Sequence, residues 1–191
     1  MQAFDSLSRD IQQYIYDKGW PSLTNIQSAA IKQVANTDHN LILSAPTASG
    51  KTEAAFIPAL NSVEDWETGL KVLYVSPLKA LINDQFQRIS ELSEYLDIPI
   101  TRWHGEVSQT QKRKVVNQPK GILLITPESI EGMLVNRPGE AEHLFKGVEW
   151  SSIDELHRFL GTERGIHLQS LLQRISRFMQ APRFIAMSAT L

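Results

Sequence analysis

The chain has 191 residues, no cysteine and a formal net charge of -2, with 42% hydrophobic and 21% charged residues. This composition is that of an ordinary folded domain, so it excludes a disordered chain and a disulfide-stapled one. The lack of cysteine and of any apolar run of about 18 residues favours a cytoplasmic protein with no membrane partner. The near-neutral charge excludes a wholesale polyanion-binding surface but allows local contacts with nucleic acid.

A helical segment is predicted over residues 1–36. Apolar side chains recur at helical spacing from Leu7 to Ile15, and Gly19 ends this first helix. The sequence Thr24-Asn25-Ile26-Gln27 has the form of a capping box, in which a threonine and a glutamine cap a helix start reciprocally. A second helix is therefore expected to follow Thr24.

From residue 41 onward, short apolar strands alternate with helices. The predicted strands are 41–44, 72–75, 98–103, 122–125, 148–153 and 183–187. The predicted helices are 51–60, 78–96, 109–116, one ending at 134, and 167–178. This alternation predicts an α/β fold, with a central, mostly parallel sheet covered by helices on both faces. Such sheets bind ligands at the carboxyl ends of their strands, where the chain turns into a helix.

The residues after the first predicted strand form a phosphate-binding motif. They match the Walker A pattern with alanine in place of the first glycine, and the candidate nucleotide-binding residues are Ala45, Thr47, Ala48, Ser49, Gly50, Lys51 and Thr52. Backbone N–H groups at a helix N-terminus attract phosphate. Lys51 would reach the β- and γ-phosphates, and the Thr52 hydroxyl would bind Mg²⁺. The alternative is an ordinary strand-turn-helix, which the position between an apolar strand and a helix disfavours.

Two adjacent acids follow the predicted strand 148–153. Asp154 would bind Mg²⁺, and Glu155 would orient or deprotonate the water that attacks a phosphate. A solvated turn with two acids is the alternative, and the phosphate-binding motif upstream favours the functional interpretation. Ser151 and Ser152 make this strand more polar than a central buried strand usually is.

Together these motifs resemble those of superfamily 2 helicases of the DEAD/DEAH type, in the same order along the whole chain. Motifs I, II and III are matched by 45–52, by Asp154-Glu155-Leu156-His157 and by Ser188-Ala189-Thr190. The Q motif is matched at Gln27, motif Ia at 76–81, and motif Ib at Thr126-Pro127-Glu128. The stretches 103–106 and 163–168 resemble the Lhr-like (large helicase-related) branch. His157 in place of aspartate argues against a DEAD-box RNA helicase in the narrow sense.

The resemblance implies that residues 1–191 are a RecA-like ATP-binding domain of an ATP-dependent helicase or translocase, with ATP and Mg²⁺ as cofactors. It implies single-stranded nucleic acid as a partner, with DNA favoured over RNA. It also implies a second RecA-like domain, which supplies an arginine finger and is absent from these residues. Two alternatives stay open: an RNA helicase of the DEAD-box kind, and a fragment that binds nucleotide or nucleic acid without significant turnover.

The resemblance also implies roles for residues outside the two nucleotide-binding motifs. Gln27 would recognise adenine, although the capping box accounts for the same residue. His157 would couple the acidic pair to Ser188 and Thr190, and no metal-ligand spacing surrounds it. The candidate nucleic-acid contacts are Ser76, Pro77, Lys79, Thr126, Pro127 and Glu128, with His104 and Gly105 as weaker ones. Thr126-Pro127 is equally a plain helix start.

Overall fold

The structure, a computed structural model, describes residues 2–190. Six strands form one sheet in the order β1-β6-β5-β2-β4-β3, and each pairing of neighbours is parallel. The strands are β1 (Leu41–Ser44), β2 (Gly69–Val75), β3 (Ile100–Trp103), β4 (Lys120–Ile125), β5 (Trp150–Ile153) and β6 (Arg183–Ser188). The predicted α/β fold with a parallel sheet is confirmed.

Within residues 2–190, eight helices connect and cover the strands. They are α1 (Arg9–Asp17), α2 (Asn25–Asn36), α3 (Lys51–Ser62), α4 (Lys79–Tyr95), α5 (Gln109–Asn117), α6 (Pro127–Asn136), α7 (Pro138–Phe145) and α8 (Glu163–Ser176). Two 3-10 turns, Phe4–Ser6 and Leu156–Arg158, complete the elements. None of the helices in the described part of the chain is both long and apolar enough to span a membrane.

The sheet separates two hydrophobic cores because successive side chains of a strand point to opposite faces. In β2, Val72 and Tyr74 pack into the core beneath α1–α4, while Leu73 and Val75 pack into the core beneath α5–α8. All four are fully buried. A strand covered on both faces favours apolar side chains at successive positions, which explains the continuous apolar run 72–75 in the sequence.

Two helices differ from the sequence-based prediction. The sequence pattern did not predict α7, whose first residue is Pro138 and whose buried side chains include Leu144 and Phe145. Its eight residues are too few for a clear helical period, and its proline followed by a glycine is typical of a turn. α8 begins four residues before the predicted start, because the Thr162 side chain caps it by accepting the Gly165 N–H.

β5 lies in the interior of the sheet although it contains two serines. Each of its four residues is buried, and neither the Ser151 nor the Ser152 hydroxyl has a hydrogen-bond partner among residues 2–190. The serine side chains are small enough to fit between the helices and the neighbouring strands. This strand is therefore central in the sheet although it is more polar than central strands usually are.

The register of β3 against β4 depends on a glycine. Gly121 has a positive φ of 69°, and a Cβ added there would lie 1.9 Å from the Pro99 carbonyl oxygen. That oxygen accepts the Ile122 N–H at 2.8 Å, so the chain cannot easily move away. Because any side chain here requires a left-handed backbone and a displaced neighbour, glycine is the residue that fits.

Replacing Gly121 with alanine is expected to lower the free energy of unfolding by at least about 2 kcal/mol, through strain and steric overlap. Gly132 is the matched control, since it lies within α6 and an added Cβ meets nothing within 4 Å. Gly132→Ala should raise stability by up to about 1 kcal/mol, as alanine is the better helix former. Urea unfolding of both variants measures this, and equal effects would contradict the argument.

Candidate nucleotide and nucleic-acid site

The candidate site residues lie along one edge of the sheet. The register aligns Ser44 with Ser188, Val75 with Ile125, and Val75 with Ile153, so these strands end side by side. The predicted nucleotide residues follow β1, β5 and β6, which form one half of the sheet. The predicted nucleic-acid residues follow β2, β3 and β4, which form the other half. One edge therefore carries two adjacent candidate sites.

The phosphate-binding motif forms a tight loop between β1 and α3. The Ala45 N–H donates to the Ser188 carbonyl at 3.2 Å, which ties the start of the loop to β6. Ala48 and Gly50 both have left-handed backbone, with φ of 61° and 83°, and Gly50 is the N-cap of α3. Successive turns of this kind direct backbone N–H groups into a concave anion site. The loop thus has the backbone of a phosphate cradle.

Lys51 and its neighbours supply the side chains of this cradle. The Lys51 ammonium donates to the carbonyls of Ala45 at 2.5 Å and Pro46 at 2.7 Å, so it folds back over the loop. The Ser49 hydroxyl is buried without a hydrogen-bond partner among the described residues, and Thr52 is buried at the first turn of α3. A phosphate would satisfy both the orphan hydroxyl and the ammonium. These hydrogen-bond donors therefore fit the phosphates of a nucleoside triphosphate.

Gln27 contacts the same loop from α2. Its side-chain oxygen accepts the Thr24 N–H at 2.9 Å, which with the Thr24 cap completes the predicted capping box. Its amide nitrogen donates to the Gly50 carbonyl at 3.5 Å, and Gln27 itself is buried. An added Cβ at Gly50 would lie 2.5 Å from that nitrogen. The cap thus holds Gln27 beside the cradle, where the predicted adenine recognition would require it to be.

Asp154 leaves β5 next to the cradle. Its N–H donates to the Val75 carbonyl at 2.9 Å, and its carboxylate accepts the Glu155 N–H at 2.9 Å. Burial raises the pKa of this carboxyl above its ordinary value. A nearby cation would favour the ionised form, so the position suits a carboxylate that binds Mg²⁺. No group of three or more His, Cys, Asp or Glu side chains that could hold a metal occurs in the described chain. Mg²⁺ usually takes only one or two protein carboxylates and completes its shell with water and phosphate oxygens, so a single carboxylate here fits such a site.

Glu155 adopts a left-handed backbone, with φ of 51° and ψ of 44°, directly after Asp154. Non-glycine residues adopt this conformation rarely, and often at functional sites. Its carboxylate lies 3.1 Å from the His157 Nε2, and the His157 Nδ1 lies 3.3 Å from the Ser188 hydroxyl. That hydroxyl donates to the Thr190 carbonyl. The structure therefore brings together the acidic pair and all three predicted coupling residues.

The predicted nucleic-acid residues fall into buried and exposed groups. Those whose side chains are buried are Ser76, Pro77, Thr126, Pro127 and His104. Lys79 and Glu128 are exposed, and each has an ion-pair partner: Glu106 for the lysine and Arg164 for the glutamate. Thr126 caps α6 by accepting the Ser129 N–H, so the plain helix start is present as well. Contacts to a bound strand would therefore depend chiefly on backbone groups and on exposed charges.

His104 is held inside the protein at the end of β3. Its Nδ1 accepts the Glu106 N–H at 3.4 Å, so its Nε2 carries the proton and donates to Asn83 at 3.3 Å. Arg102 donates to the same Asn83 oxygen at 2.8 Å. Burial and the Arg102 charge lower the pKa of His104. Both ring nitrogens are thus engaged within the protein, whereas Gly105 beside it is exposed.

Two residues of this edge received no role from the sequence. Asn83 lies on α4 and joins Arg102 to His104, and Arg164 lies on α8 and bonds to both Pro77 and Glu128. The sequence shows Arg164 only as part of a branch motif. The spacing of residues along the sequence does not reveal these bonds, because each joins residues that are 19 or more positions apart.

A parallel sheet with a phosphate loop after one strand and an acidic pair after a second strand, at the same end of the sheet, defines a P-loop nucleoside-triphosphatase domain. A family model described as DEAD/DEAH box helicase matches residues 24–191. The chain therefore belongs to the DEAD/DEAH box helicase family, as the motif order predicts.

The similar proteins include helicases of the Lhr type. The ATP-dependent helicase Lhr-Core of Methanocaldococcus jannaschii is 30% identical over 208 residues, covering 100% of this chain and 24% of that protein. The Lhr helicase/uracil glycosylase of Escherichia coli is 33% identical over 192 residues, covering 87% of this chain and 12% of that protein. The chain thus spans a quarter or less of these relatives. The predicted Lhr-like resemblance is confirmed.

Solved structures give the same relationship. The Mycobacterium smegmatis helicase Lhr bound to ssDNA and AMP-PNP superposes with a TM-score of 0.88 and 28% identity, over 100% of this chain and 26% of that one. The DEAD-box helicase Mss116, bound to ssRNA and UDP-BeF, superposes with a TM-score of 0.85 at 22% identity, covering 97% of this chain and 39% of that one. The second likeness supports the RecA-like fold alone.

The lowered pKa of His104 makes stability depend on pH in a defined direction. At pH values above about 6.5, the ordinary pKa of histidine, the His104 imidazole is neutral in both the folded and the unfolded chain. The free energy of unfolding is then at its full value. As the pH falls below the ordinary pKa of histidine, His104 becomes protonated in the unfolded chain but stays neutral in the folded chain. The free energy of unfolding therefore decreases. Urea unfolding at pH 7.5 and 5.5 should show a smaller difference in His104→Gln than in the parent.

The matched control for this measurement is His143, an exposed residue of α7. His143→Gln should keep the pH difference of the parent chain. A His104→Gln variant with an undiminished difference between the two pH values would contradict the assignment of a buried, neutral imidazole.

Proposed function

We propose that this chain is the ATP-binding and ATP-hydrolysing domain of an ATP-dependent nucleic-acid helicase or translocase. The observation that carries the proposal is the position of the phosphate cradle with Lys51 after β1 and of Asp154 and Glu155 after β5, at the carboxyl ends of two strands that both pair with β6. The Lhr-type relatives, which are named as ATP-dependent helicases, support the same function. Because the chain spans a quarter or less of those relatives, the function is proposed for the longer polypeptide that contains it.

The residues of the cradle would bind ATP with Mg²⁺. The loop N–H groups and Lys51 hold the β- and γ-phosphates, while Thr52 and Asp154 provide oxygen ligands for the cation. Gln27, held by its capping box against Gly50, recognises the adenine edge. The bound cation supplies neutralisation of the charge that develops on the phosphates. Gln27 and Asp154 are already oriented by contacts within the domain, whereas Lys51 would exchange its bonds to the Ala45 and Pro46 carbonyls for bonds to the phosphates.

Glu155 would act on the attacking water. Its carboxylate accepts a proton from the water or orients it in line with the γ-phosphate, and Lys51 stabilises the charge on the transferred group. His157 links the Glu155 carboxylate to Ser188 and Thr190 at the end of β6. A change at the γ-phosphate would therefore reach β6 through the two contacts of the His157 ring, and this supports the proposed coupling role.

Single-stranded DNA is the proposed partner, in preference to RNA. The 28% identical Lhr structure contains ssDNA, and the Lhr branch motifs are present in this chain. The strand would lie across the ends of β2, β3 and β4, against the residues after each strand. We also propose a second RecA-like domain in the same polypeptide, which closes over the cradle and supplies an arginine finger worth about 10³–10⁵ in rate. A cytoplasmic location fits the cysteine-free sequence.

Replacing Glu155 with glutamine tests the assignment of the base. In the polypeptide that contains this chain, kcat should fall by about 10²–10⁴, because the amide cannot accept the proton. Affinity for ATP should persist, since the cradle is intact. Steady-state phosphate release and fluorescent-nucleotide binding measure the two quantities, with ssDNA or single-stranded RNA of the same sequence as activator.

The matched control is Glu140→Gln, which removes a partly exposed, ion-paired carboxylate of α7 far from the cradle in sequence. It should leave both quantities unchanged. Retained hydrolysis in the Glu155 variant would contradict its role as the base. Stronger stimulation of the parent by RNA than by DNA would establish the RNA alternative. A parent that binds nucleotide but shows no turnover with either strand would favour the binding-only alternative.

A further inference from the structure

Arg164 joins two loops that follow different strands. From the second position of α8, its guanidinium Nη2 donates to the Pro77 carbonyl at 2.8 Å and to the Glu128 carboxylate at 2.6 Å. Pro77 belongs to the segment after β2, and Glu128 to the start of α6 after β4. These two strands are neighbours in the sheet. One side chain thus spans both segments proposed to contact nucleic acid.

The position of Arg164 is itself fixed from the nucleotide side. An added Cβ at Gly165 would lie 1.9 Å from the Phe159 carbonyl oxygen, so the start of α8 packs directly against that backbone. The guanidinium lies 5.8 Å from the centre of the buried Phe159 ring. Phe159 follows the 3-10 turn that begins immediately after Glu155. A short, closely packed path therefore connects Glu155 to Arg164.

The spacing of these two segments matters because most of their side chains are buried. Ser76, Pro77, Thr126 and Pro127 offer a strand mainly backbone groups, whose hydrogen bonds weaken steeply when distance or angle changes. Glu128 is exposed and negatively charged, so it would repel a phosphate unless its charge were neutralised. Arg164 does two things here: its bond to the Pro77 carbonyl fixes the position of that backbone, and its ion pair neutralises the Glu128 carboxylate.

We propose that Arg164 is a positioning residue for nucleic-acid binding. It holds the segment after β2 and the start of α6 at a fixed spacing, and it masks the Glu128 carboxylate, without contacting the strand itself. Its guanidinium is already paired with a carboxylate, so it is not a free cation for phosphate. This inference rests on the proposed nucleic-acid function of the same edge.

Arg174 provides a matched control on the same helix. Its Nη1 donates to both oxygens of Glu131 at 3.0 and 2.8 Å, so it also pairs α8 with a glutamate of α6. The exposed fractions of the two arginine side chains are similar, at 45% for Arg164 and 38% for Arg174. Arg174 lies ten residues further along α8, about 15 Å from Arg164 along the axis. Its pair is therefore equivalent in kind and remote from the edge.

The experiment uses the polypeptide that contains this chain and measures the affinity of the parent, Arg164→Ala and Arg174→Ala for a fluorescent 12-nucleotide single-stranded DNA across a salt series. Arg164→Ala should bind roughly tenfold more weakly at every salt concentration, because the loops must be ordered on binding. The slope of log affinity against log salt should stay that of the parent, as the same phosphates are contacted. Arg174→Ala should bind like the parent. Thermal unfolding should show both variants folded, with similar midpoints.

Three results would overturn the inference. Equal affinity of Arg164→Ala and the parent for DNA would show that the Arg164 bonds to Pro77 and Glu128 are not needed for nucleic-acid binding. A slope reduced by about 0.7, the value expected for one lost phosphate contact on a single strand, would make Arg164 a direct ligand. Equal weakening by Arg174→Ala would indicate general destabilisation of α8. A parent chain that binds no DNA would instead overturn the proposed nucleic-acid function itself, and the inference with it.

Discussion

The account depends on one constraint, the parallel register that ends all six neighbouring strands at a single edge. A parallel sheet needs a crossover after every strand, so each strand end becomes the start of a loop and helix. Here that rule places the phosphate cradle after β1, the acidic pair after β5, and the two proposed strand-binding segments after β2 and β4. Adjacent strands lie about 4.8 Å apart. Nucleotide and nucleic acid would therefore lie side by side on one rigid scaffold.

The polar groups at this edge are ordered mainly by one another. Gln27 caps α2 and donates to the Gly50 carbonyl. The Ala45 N–H at the start of the phosphate-binding loop donates to the Ser188 carbonyl. His157 contacts both the Glu155 carboxylate and the Ser188 hydroxyl. Burial of Asp154, Ser49 and Ser76 leaves polar atoms whose desolvation is costly without a ligand. Such groups are retained when a bound ligand or ion satisfies them. Ligands bound at this edge would satisfy the Ser49 and Ser76 hydroxyls, which supports the proposed function.

The sequence predicted the sheet, most helices and both nucleotide motifs because each of these is local. Apolar runs mark β1, β2 and β4, and the loop 45–52 is contiguous, so period and motif suffice. α7 was missed, since eight residues led by Pro138-Gly139 resemble a turn. Contacts between distant residues were also beyond the sequence, including the Arg164 bonds to Pro77 and Glu128 and the engagement of both His104 ring nitrogens. These depend on tertiary packing, which no local pattern encodes.

The central claim is that nucleotide and nucleic acid bind to different halves of the sheet at the carboxyl ends of its strands. Its most direct test is hydrogen exchange measured by mass spectrometry on the polypeptide that contains this chain. AMP-PNP with Mg²⁺, added alone, should slow exchange in residues 45–53 and 154–158. A single-stranded DNA oligonucleotide, added alone, should slow exchange in 76–80 and 127–130 instead. Both together should protect both sets and additionally 188–190, which the proposed coupling path joins to Glu155 through His157. Protection of the same residues by both ligands, or of neither set, would contradict the account.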